Sequence, residues 1–359
     1  MILFVGPLPP PLHGFSFING EMLARFRAAP AAVSVFNRAP APSQGRVASW
    51  WQAAAAWLGF VRALGGAPRA SALYMGFSGG LGQLVDLAYL LVARLSGRPV
   101  VMHHHSFAYL RQRPTHTALV LRCARRARHI VLCDCMADAL SRQYGIARAQ
   151  IDVVSNAAFL PPAQALDRGH QPAASLQLGF LSNITAEKGI FAFFDLLTAL
   201  RARGVAVQAR VAGPVAPDIA QRFAQALAAQ PDCQHLGPVY GEAKAQFYQG
   251  LDVLVFPTFY NNEAEPVTLL EALRVGLPVL ANARGCIADL VPAGAGVVLH
   301  DDARFVDQAA DTLQAWARQS TAQWQQRYQQ AQQAFVQLRA EHAQRLAGIV
   351  QRMTRGGSA

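Results

Sequence analysis

Short apolar runs rich in valine and isoleucine alternate with longer amphipathic stretches along the whole chain. Parallel strands that are buried on both faces need such continuous apolar runs, and the helices that connect them need one apolar face. The pattern therefore predicts an α/β protein built from doubly wound parallel sheets. The predicted strands are Ile2–Val5, Val33–Phe36, Ala72–Tyr74, Pro99–Met102, Ile130–Cys133, Asp152–Val154, Leu176–Leu181, Ala206–Val211, Gln234–Leu236, Val253–Phe256 and Pro278–Ala281.

A break in this alternation predicts two domains. The chain has 359 residues, of which 52% are apolar, more than a single hydrophobic core usually absorbs. The stretch LPPAQALDRGHQPAAS, from Leu160 to Ser175, has the composition of an interdomain linker. We therefore predict a Rossmann-like domain over residues 1–172, a second over residues 173–335, and a C-terminal helix over residues 336–359 that packs back toward the first domain.

The excess positive charge belongs to the first half of the chain. The net charge is +11, and residues 1–175 hold 17 arginines against six acidic residues. A basic surface suits a phosphate-bearing substrate, an anionic membrane or nucleic acid. An arginine-rich composition also gives a solvated basic surface without any partner. The chain has no recognisable RNA- or DNA-binding motif, so we expect no nucleic-acid partner.

Cysteine usage and the N-terminal sequence predict a cytoplasmic protein. The five cysteines form an odd, scattered set, unlike a secreted disulfide scaffold or a zinc site. The first residues, MILFVGPLPP, have no basic leader and favour a first strand over a signal peptide. The apolar stretch Leu81–Leu95 contains Asp86 and Arg94 and is too short for a membrane span. The inner face of the cell membrane is the alternative location, reached by peripheral association.

The segment FPTFYNNEAEPVTLLEALRVGLPVLA, from Phe256 to Ala281, predicts a strand, a loop, a helix and a second strand. Glu263 lies in the loop, and Glu271 lies eight positions later in the helix. The helix N-terminus would stabilise a diphosphate, and a carboxylate accepts hydrogen bonds from the vicinal hydroxyls of a ribose. The spacing alone is equally consistent with an exposed acidic helix start, which the helix dipole favours.

This segment resembles the E-x7-E motif of retaining GT-B glycosyltransferases, above all those of family 4. Glu263 and Glu271 occupy the two glutamates, and LLEALRVGLPVLA follows the family pattern almost residue for residue. The stretch LGFLSNITAEKGIFAFFDLL, at Leu178–Leu197, is similar to the opening of the family's second domain. Lys188 stands at the family's diphosphate-binding lysine, whereas Asn183 replaces the usual arginine five residues earlier.

The resemblance implies a GT-B fold, in which two doubly wound Rossmann-like domains face a central cleft. It implies a UDP-sugar or GDP-sugar donor and a reaction without a metal or other cofactor. In this scheme Glu271 holds the ribose, Lys188 the phosphates and Glu263 the donor sugar. The remaining donor-binding positions are Asn183, Gly14 in the loop GPLPPPLHGFSFING, and Val267 and Thr268 in the first helical turn after Glu263.

Three consecutive histidines follow the predicted strand Pro99–Met102. Because side chains alternate along a strand, His103 and His105 share one face and His104 lies on the other. Family members often place a histidine here, so His103 or His105 would bond a sugar hydroxyl or assist proton transfer. A metal site and packed loop histidines are the competing interpretations.

The resemblance thus implies a retaining glycosyltransferase that moves a sugar from a nucleotide-diphosphate donor to a hydroxyl acceptor. The acceptor is expected to be a glycan, either lipid-linked or part of a surface polysaccharide, bound mainly by the basic first domain. Asn183 motivates one alternative, a GT-B protein that binds sugar nucleotides but has little or no activity. The oligomeric state does not follow from the sequence.

Overall fold

The structure, a computed structural model, describes residues 1–39, 46–164 and 175–355. The chain divides into a first unit, Met1–Phe159 with Ala340–Ala359, and a second unit, Leu160–Arg339. The predicted domain boundary between residues 172 and 173 lies outside the described residues. No helix in the described ranges is long and apolar enough to cross a membrane.

The first unit contains a six-stranded parallel sheet with the order β2-β1-β3-β4-β5-β6. The first connection leads to one side of β1 and the next returns to its other side, so the winding reverses between β1 and β3. Ligands in such sheets bind outside the carboxyl ends of the strands at this reversal. The strands are β1 Ile2–Gly6, β2 Val33–Asn37, β3 Ala72–Phe77, β4 Val100–His104, β5 Arg128–Val131 and β6 Ile151–Val153.

Helices connect these strands, as the alternation in the sequence predicts. Strands β1, β3 and β4 are buried along their whole length, which explains their continuous apolar runs. The helices are α1 Gly14–Ala28, α2 Arg46–Gly66, α3 Gly82–Leu95, α4 Ala108–Arg111, α5 Thr115–Cys123 and α6 Asp134–Tyr144.

The second unit contains another six-stranded parallel sheet, with the order β12-β11-β10-β7-β8-β9. Its winding reverses between β7 and β10, which pair directly through Val253 and Leu178. The strands are β7 Leu176–Leu181, β8 Val207–Ala212, β9 Cys233–His235, β10 Val253–Phe256, β11 Val279–Asn282 and β12 Gly296–Leu299. The helices are α7 Ile190–Ala202, α8 Ala220–Ala228, α9 Gly241–Gln249, α10 Val267–Arg274, α11 Ile287–Leu290, α12 Phe305–Ala317 and α13 Thr321–Thr354.

Most strand predictions agree with the structure, and β7 and β10 have the predicted bounds. The prediction missed β12, whose residues are only half-buried and begin at a glycine. It also ended β4 too early, because this strand runs through His104. The end of α13 belongs to the first unit, where Nη2 of Arg352 lies 3.2 Å from Oδ2 of Asp152.

Candidate active site

The two predicted glutamates lie where the winding of the second sheet reverses. Glu263 is in the loop that leads from β10 to α10, and Glu271 is in α10 itself. Lys188 lies near the end of the loop between β7 and α7. Because β7 and β10 are neighbours, the loops after them meet at one edge of the sheet.

Lys188 and Glu263 form an ion pair at this edge. Nζ of Lys188 lies 2.5 Å from Oε2 of Glu263, and the two side chains are only 18% and 10% exposed. The hydroxyl of Thr258 donates a hydrogen bond to the same carboxylate oxygen over 3.3 Å. The ammonium also lies 4.5 Å from the centre of the Tyr260 ring, within the range of a cation–π contact. The lysine charge is therefore held in one place and largely shielded from water.

A glycine allows these two loops to approach each other. Gly189, directly before α7, has a φ of +83°, and a Cβ at this position would lie 1.8 Å from the carbonyl oxygen of Pro257. Only glycine combines this backbone conformation with so close a contact. The amide of Phe259 also donates a hydrogen bond to the carbonyl oxygen of Glu187 over 2.7 Å. The neighbouring Lys188 is thereby brought to Glu263.

Glu271 has different partners, both on α9. Nζ of Lys244 lies 2.5 Å from its Oε1, and the hydroxyl of Tyr248 donates to its Oε2 over 3.0 Å. Burial, with a contribution from the charge and hydrogen bond of Glu271, raises the pKa of Tyr248 well above its ordinary value. Tyr248 therefore stays protonated and remains a hydrogen-bond donor to the carboxylate.

The remaining predicted donor-binding residues lie nearby or in the first unit. Val267 and Thr268 are half-buried in the first turn of α10, where backbone N–H groups lack intrahelical partners. Asn183 is exposed in the turn after β7. Gly14 is the exposed first residue of α1, and its φ is not positive, so its conformation does not itself require glycine.

The histidines lie at the carboxyl end of β4 in the first unit. The rings of His103 and His105 are 4.0 Å apart, as the alternation of side chains predicts, and Phe15 lies 4.6 Å from His105. His103 is completely buried, whereas His105 is half-buried. Burial lowers the pKa of His105 to about 3. The pKa of His103 is also well below its ordinary value, because the ring is buried and would be repelled by charge on His105 and His104. Both rings are therefore neutral at physiological pH.

A buried hydrogen bond involves one ring nitrogen of His103. Its Nδ1 lies 2.7 Å from the hydroxyl of Tyr74, a buried residue with no other side-chain partner among the described residues. When the Tyr74 hydroxyl donates to Nδ1, it uses its own proton in this bond and the ring proton lies on Nε2. Within the described ranges, this Nε2 and that of His105 have no hydrogen-bond partner. A buried unpaired polar group costs about 1–3 kcal/mol, which favours a ligand contact or a solvent molecule here.

His104 faces the other way and belongs to a structural network. Its Nδ1 lies 2.8 Å from the hydroxyl of Tyr109, and its Nε2 lies 3.0 Å from Nδ1 of His129. Among the described residues, none of the β4 histidines belongs to a group of three or more side chains placed to hold a metal ion. The polar atoms of His104 are satisfied within the fold.

Sequence reasoning missed Lys244, Tyr248, Thr258 and Tyr260 as residues of this site. From α9 or the loop after β10, the first three reach the glutamates and Tyr260 contacts Lys188. No local sequence pattern marks these contacts. One signal was available for Lys244, because it and Lys188 are the only lysines among 32 basic residues.

Comparison with solved structures defines the class of fold. HepE from Anabaena, in complex with UDP and glucose, has a TM-score of 0.70 at 17% identity, covering 98% of this chain and 99% of that chain. A sucrose-phosphate synthase from Thermosynechococcus elongatus has a TM-score of 0.70 at 16% identity, with 99% and 100% coverage. WaaG, a glycosyltransferase involved in lipopolysaccharide biosynthesis, has a TM-score of 0.65 at 15% identity, with the same coverage. The predicted GT-B fold is thus confirmed.

The family of glycosyl transferases group 1 matches residues 169–334, which is nearly the whole second unit. This match contains both ion pairs described above. No curated protein matches the chain by sequence. The chain therefore has a GT-B fold, and residues 169–334 of its second unit match the glycosyl transferases group 1 family.

Proposed function

We propose that the protein is a retaining glycosyltransferase of the family 4 type, which moves a sugar from a nucleotide-diphosphate donor to a hydroxyl acceptor. The observation that carries this proposal is the Lys188–Glu263 ion pair, positioned at the winding reversal of the second sheet. It lies inside the region that matches the glycosyl transferases group 1 family. HepE binds UDP and glucose, which makes uridine nucleotides the first donors to test.

The donor would lie along the carboxyl edge of the second sheet. Lys188 and the backbone N–H groups of Val267 and Thr268 would hold the diphosphate. The ammonium group forms charge-assisted hydrogen bonds to phosphate oxygens, and the free N–H groups of a helix N-terminus bind anions. They would also stabilise the leaving phosphate, so the reaction needs no metal ion. Glu271 would bind the ribose hydroxyls, and Glu263 the hydroxyls of the transferred sugar.

The neutral histidines of the first unit favour hydrogen bonding over proton abstraction. A general base works best with a pKa near the working pH, and burial lowers the pKa of His105 to about 3. His105 is half-buried and would contact the reacting sugar, while the fully buried His103 would support it. During transfer the bond from the sugar to the phosphate breaks and the bond to the acceptor oxygen forms, and an oxygen of the leaving diphosphate takes up the proton that the acceptor hydroxyl loses.

A lipid-linked acceptor at an anionic membrane fits the surface of the first unit. Leu84, Leu91 and Leu95 of α3 and Leu81, directly before it, are exposed at helical spacing, with Leu81 at 74% and Leu95 at 88%. The neighbouring α5 and the residues after it expose Arg122, Arg125 and Arg126. Apolar side chains that enter the headgroup region, next to arginines that pair with lipid phosphates, are typical of peripheral membrane binding.

Activity is tested with a panel of UDP-sugars and GDP-sugars. A thermal-shift screen identifies the nucleotide, and transfer or donor hydrolysis is then measured. The anomeric configuration of the product, read by NMR, distinguishes retention from inversion. Nucleotide binding without any turnover would instead favour the inactive sugar-nucleotide-binding protein. An inverted product would contradict the retaining mechanism.

Membrane association is tested by flotation with phosphatidylcholine vesicles, with and without phosphatidylglycerol. We expect binding only with the anionic lipid, and its loss in the double variant L84Q/L91Q. The matched control is L236Q, which changes an exposed leucine of the second unit. Binding that is indifferent to lipid charge would contradict this part of the proposal.

A further inference from the structure

The only two lysines of the chain are paired with the two glutamates of the E-x7-E pattern. Lys188 contacts Glu263 and Lys244 contacts Glu271, each over 2.5 Å, whereas every other basic residue among the 32 is an arginine. The proposed function already assigns roles to Lys188, which binds the diphosphate, and to Glu263, which binds the donor sugar. Lys244 has no role in the function proposed above.

The geometry of α9 makes Lys244 part of a clamp. Lys244 and Tyr248 are four residues apart and therefore lie on the same face of α9. Lys244 contacts Oε1 of Glu271 and Tyr248 contacts Oε2, so each carboxylate oxygen has its own partner. A carboxylate offers about four acceptor positions, which leaves room for two ligand hydroxyls. The clamp orients Glu271 without saturating it.

Charge gives Lys244 a second effect. A nucleoside diphosphate brings at least two negative charges to a site that already contains Glu263 and Glu271. Lys188 offsets only one of these carboxylates. Without Lys244 the charges of the two glutamates and Lys188 would leave one uncompensated negative charge, which repels the ligand in a poorly solvated site. Lys244 is itself 33% exposed, so the pair is open to an incoming ligand.

We infer that Lys244 is a positioning residue of the nucleotide site, which holds Glu271 in the orientation that binds the ribose and offsets its charge. This inference rests on the proposed function, in which Glu271 binds a nucleoside diphosphate. Lysine suits this position because its compact ammonium has three donors, one for Glu271 and others for water or ligand. Lys244 acts on the ligand through Glu271.

The test is a double-mutant cycle on UDP and GDP affinity, measured by calorimetry with the full chain. K244M should raise the Kd of the bound nucleotide at least about tenfold, while K244R, which keeps the charge, should stay within about threefold. In the E271Q background the effect of K244M should fall below about threefold, because no carboxylate is left to orient or offset. KM for the donor should rise more than kcat falls.

The matched control is R203Q. Arg203 also forms a 2.5 Å ion pair in the second unit, with Asp311, and its loss should leave nucleotide affinity unchanged. Unchanged affinity in K244M would overturn the inference and leave the proposed function standing. An equal loss in the E271Q background would also overturn it, because Lys244 would then act on the ligand directly. If the wild-type chain binds neither UDP nor GDP, the result would contradict the proposed function itself.

Discussion

The carboxyl edges of the two sheets differ in their electrostatic character: one presents neutral side chains and the other presents ion pairs. In the first unit this edge presents His103 and His105, whose pKa values are lowered by burial so that both rings are neutral. In the second unit the edge presents charged groups, with each glutamate paired to a lysine over 2.5 Å. Both edges lie at the strand ends where ligands of doubly wound sheets bind.

This difference suits the two edges to two different kinds of ligand group, sugar hydroxyls and a diphosphate. A neutral, desolvated edge can offer directional hydrogen bonds to sugar hydroxyls without attracting counter-ions. A charged edge can hold a diphosphate and stabilise the charge that develops on it when it leaves. We therefore expect substitutions in the second unit to act mainly through charge, and those in the first unit mainly through hydrogen bonding.

The largest effect should come from the charged edge. E263Q keeps the size of the side chain and its contact with Thr258 but removes the charge that faces Lys188, so we expect kcat to fall about 10³-fold. The control is E187Q, which removes an exposed carboxylate next to Lys188. A loss of less than tenfold in E263Q, measured with the preferred donor, would contradict the role assigned to this charge.

Two glycine substitutions, one at each edge, compare how much folding stability is lost when a Cβ is added there. G189A should lower the free energy of unfolding by about 3 kcal/mol, or about 6–12 °C in Tm, because the new Cβ meets a backbone carbonyl and φ is positive. In G76A the Cβ would lie 2.7 Å from Oδ1 of Asn19, a side-chain atom and not backbone, and φ is not positive, so the loss should be smaller. The free energy of unfolding of both variants is measured by calorimetry. An equal or larger loss of stability in G76A would contradict this prediction.

The neutral edge should contribute less to turnover. H105A should lower kcat about 100-fold through a lost hydrogen bond to the sugar and its misplacement. Since the pKa of His105 is about 3, the wild-type pH–rate profile should show no inflection from this ring near pH 6.5. H116A, at a half-buried histidine on α5, is the control. An inflection near pH 6.5 that disappears in H105A would mean that the ring is a general base.

A further difference between the two units concerns stability against pH. A buried histidine stays neutral in the folded chain but takes up a proton in the unfolded chain below about pH 6.5, so acid favours unfolding. With folded pKa values of about 3 for His105 and about 4 for His129, this loss grows as pH falls from 6.5 to about 4. Each fully buried histidine costs up to about 1.4 kcal/mol per pH unit.

Hydrogen exchange at pH 7.5 and 5 measures this loss separately in each unit. Amides of β3 and β4 should lose protection at pH 5, after correction for intrinsic exchange rates, more than amides of β7 and β10. Equal losses in both units would show that the histidines do not make the first unit more sensitive to acid.

Much of the architecture could be predicted from local patterns. The run Leu176–Leu181 and the run Val253–Phe256 coincide with β7 and β10, because buried parallel strands require continuous apolar residues. The half-buried β12 lacks such a run and was missed. The alternation of His103, His104 and His105 also follows from strand geometry alone.

The sequence by itself determined the α/β class, the loop and helix positions of Glu263 and Glu271, and the faces on which the histidines lie. Only the tertiary structure decided the strand order and the partners: Lys188 with Glu263 across 75 positions, and Lys244 with Glu271 across 27. The physical reason is that periodicity encodes which face of an element is buried. Which elements become neighbours depends on how the whole sheet winds, and that choice places the charges.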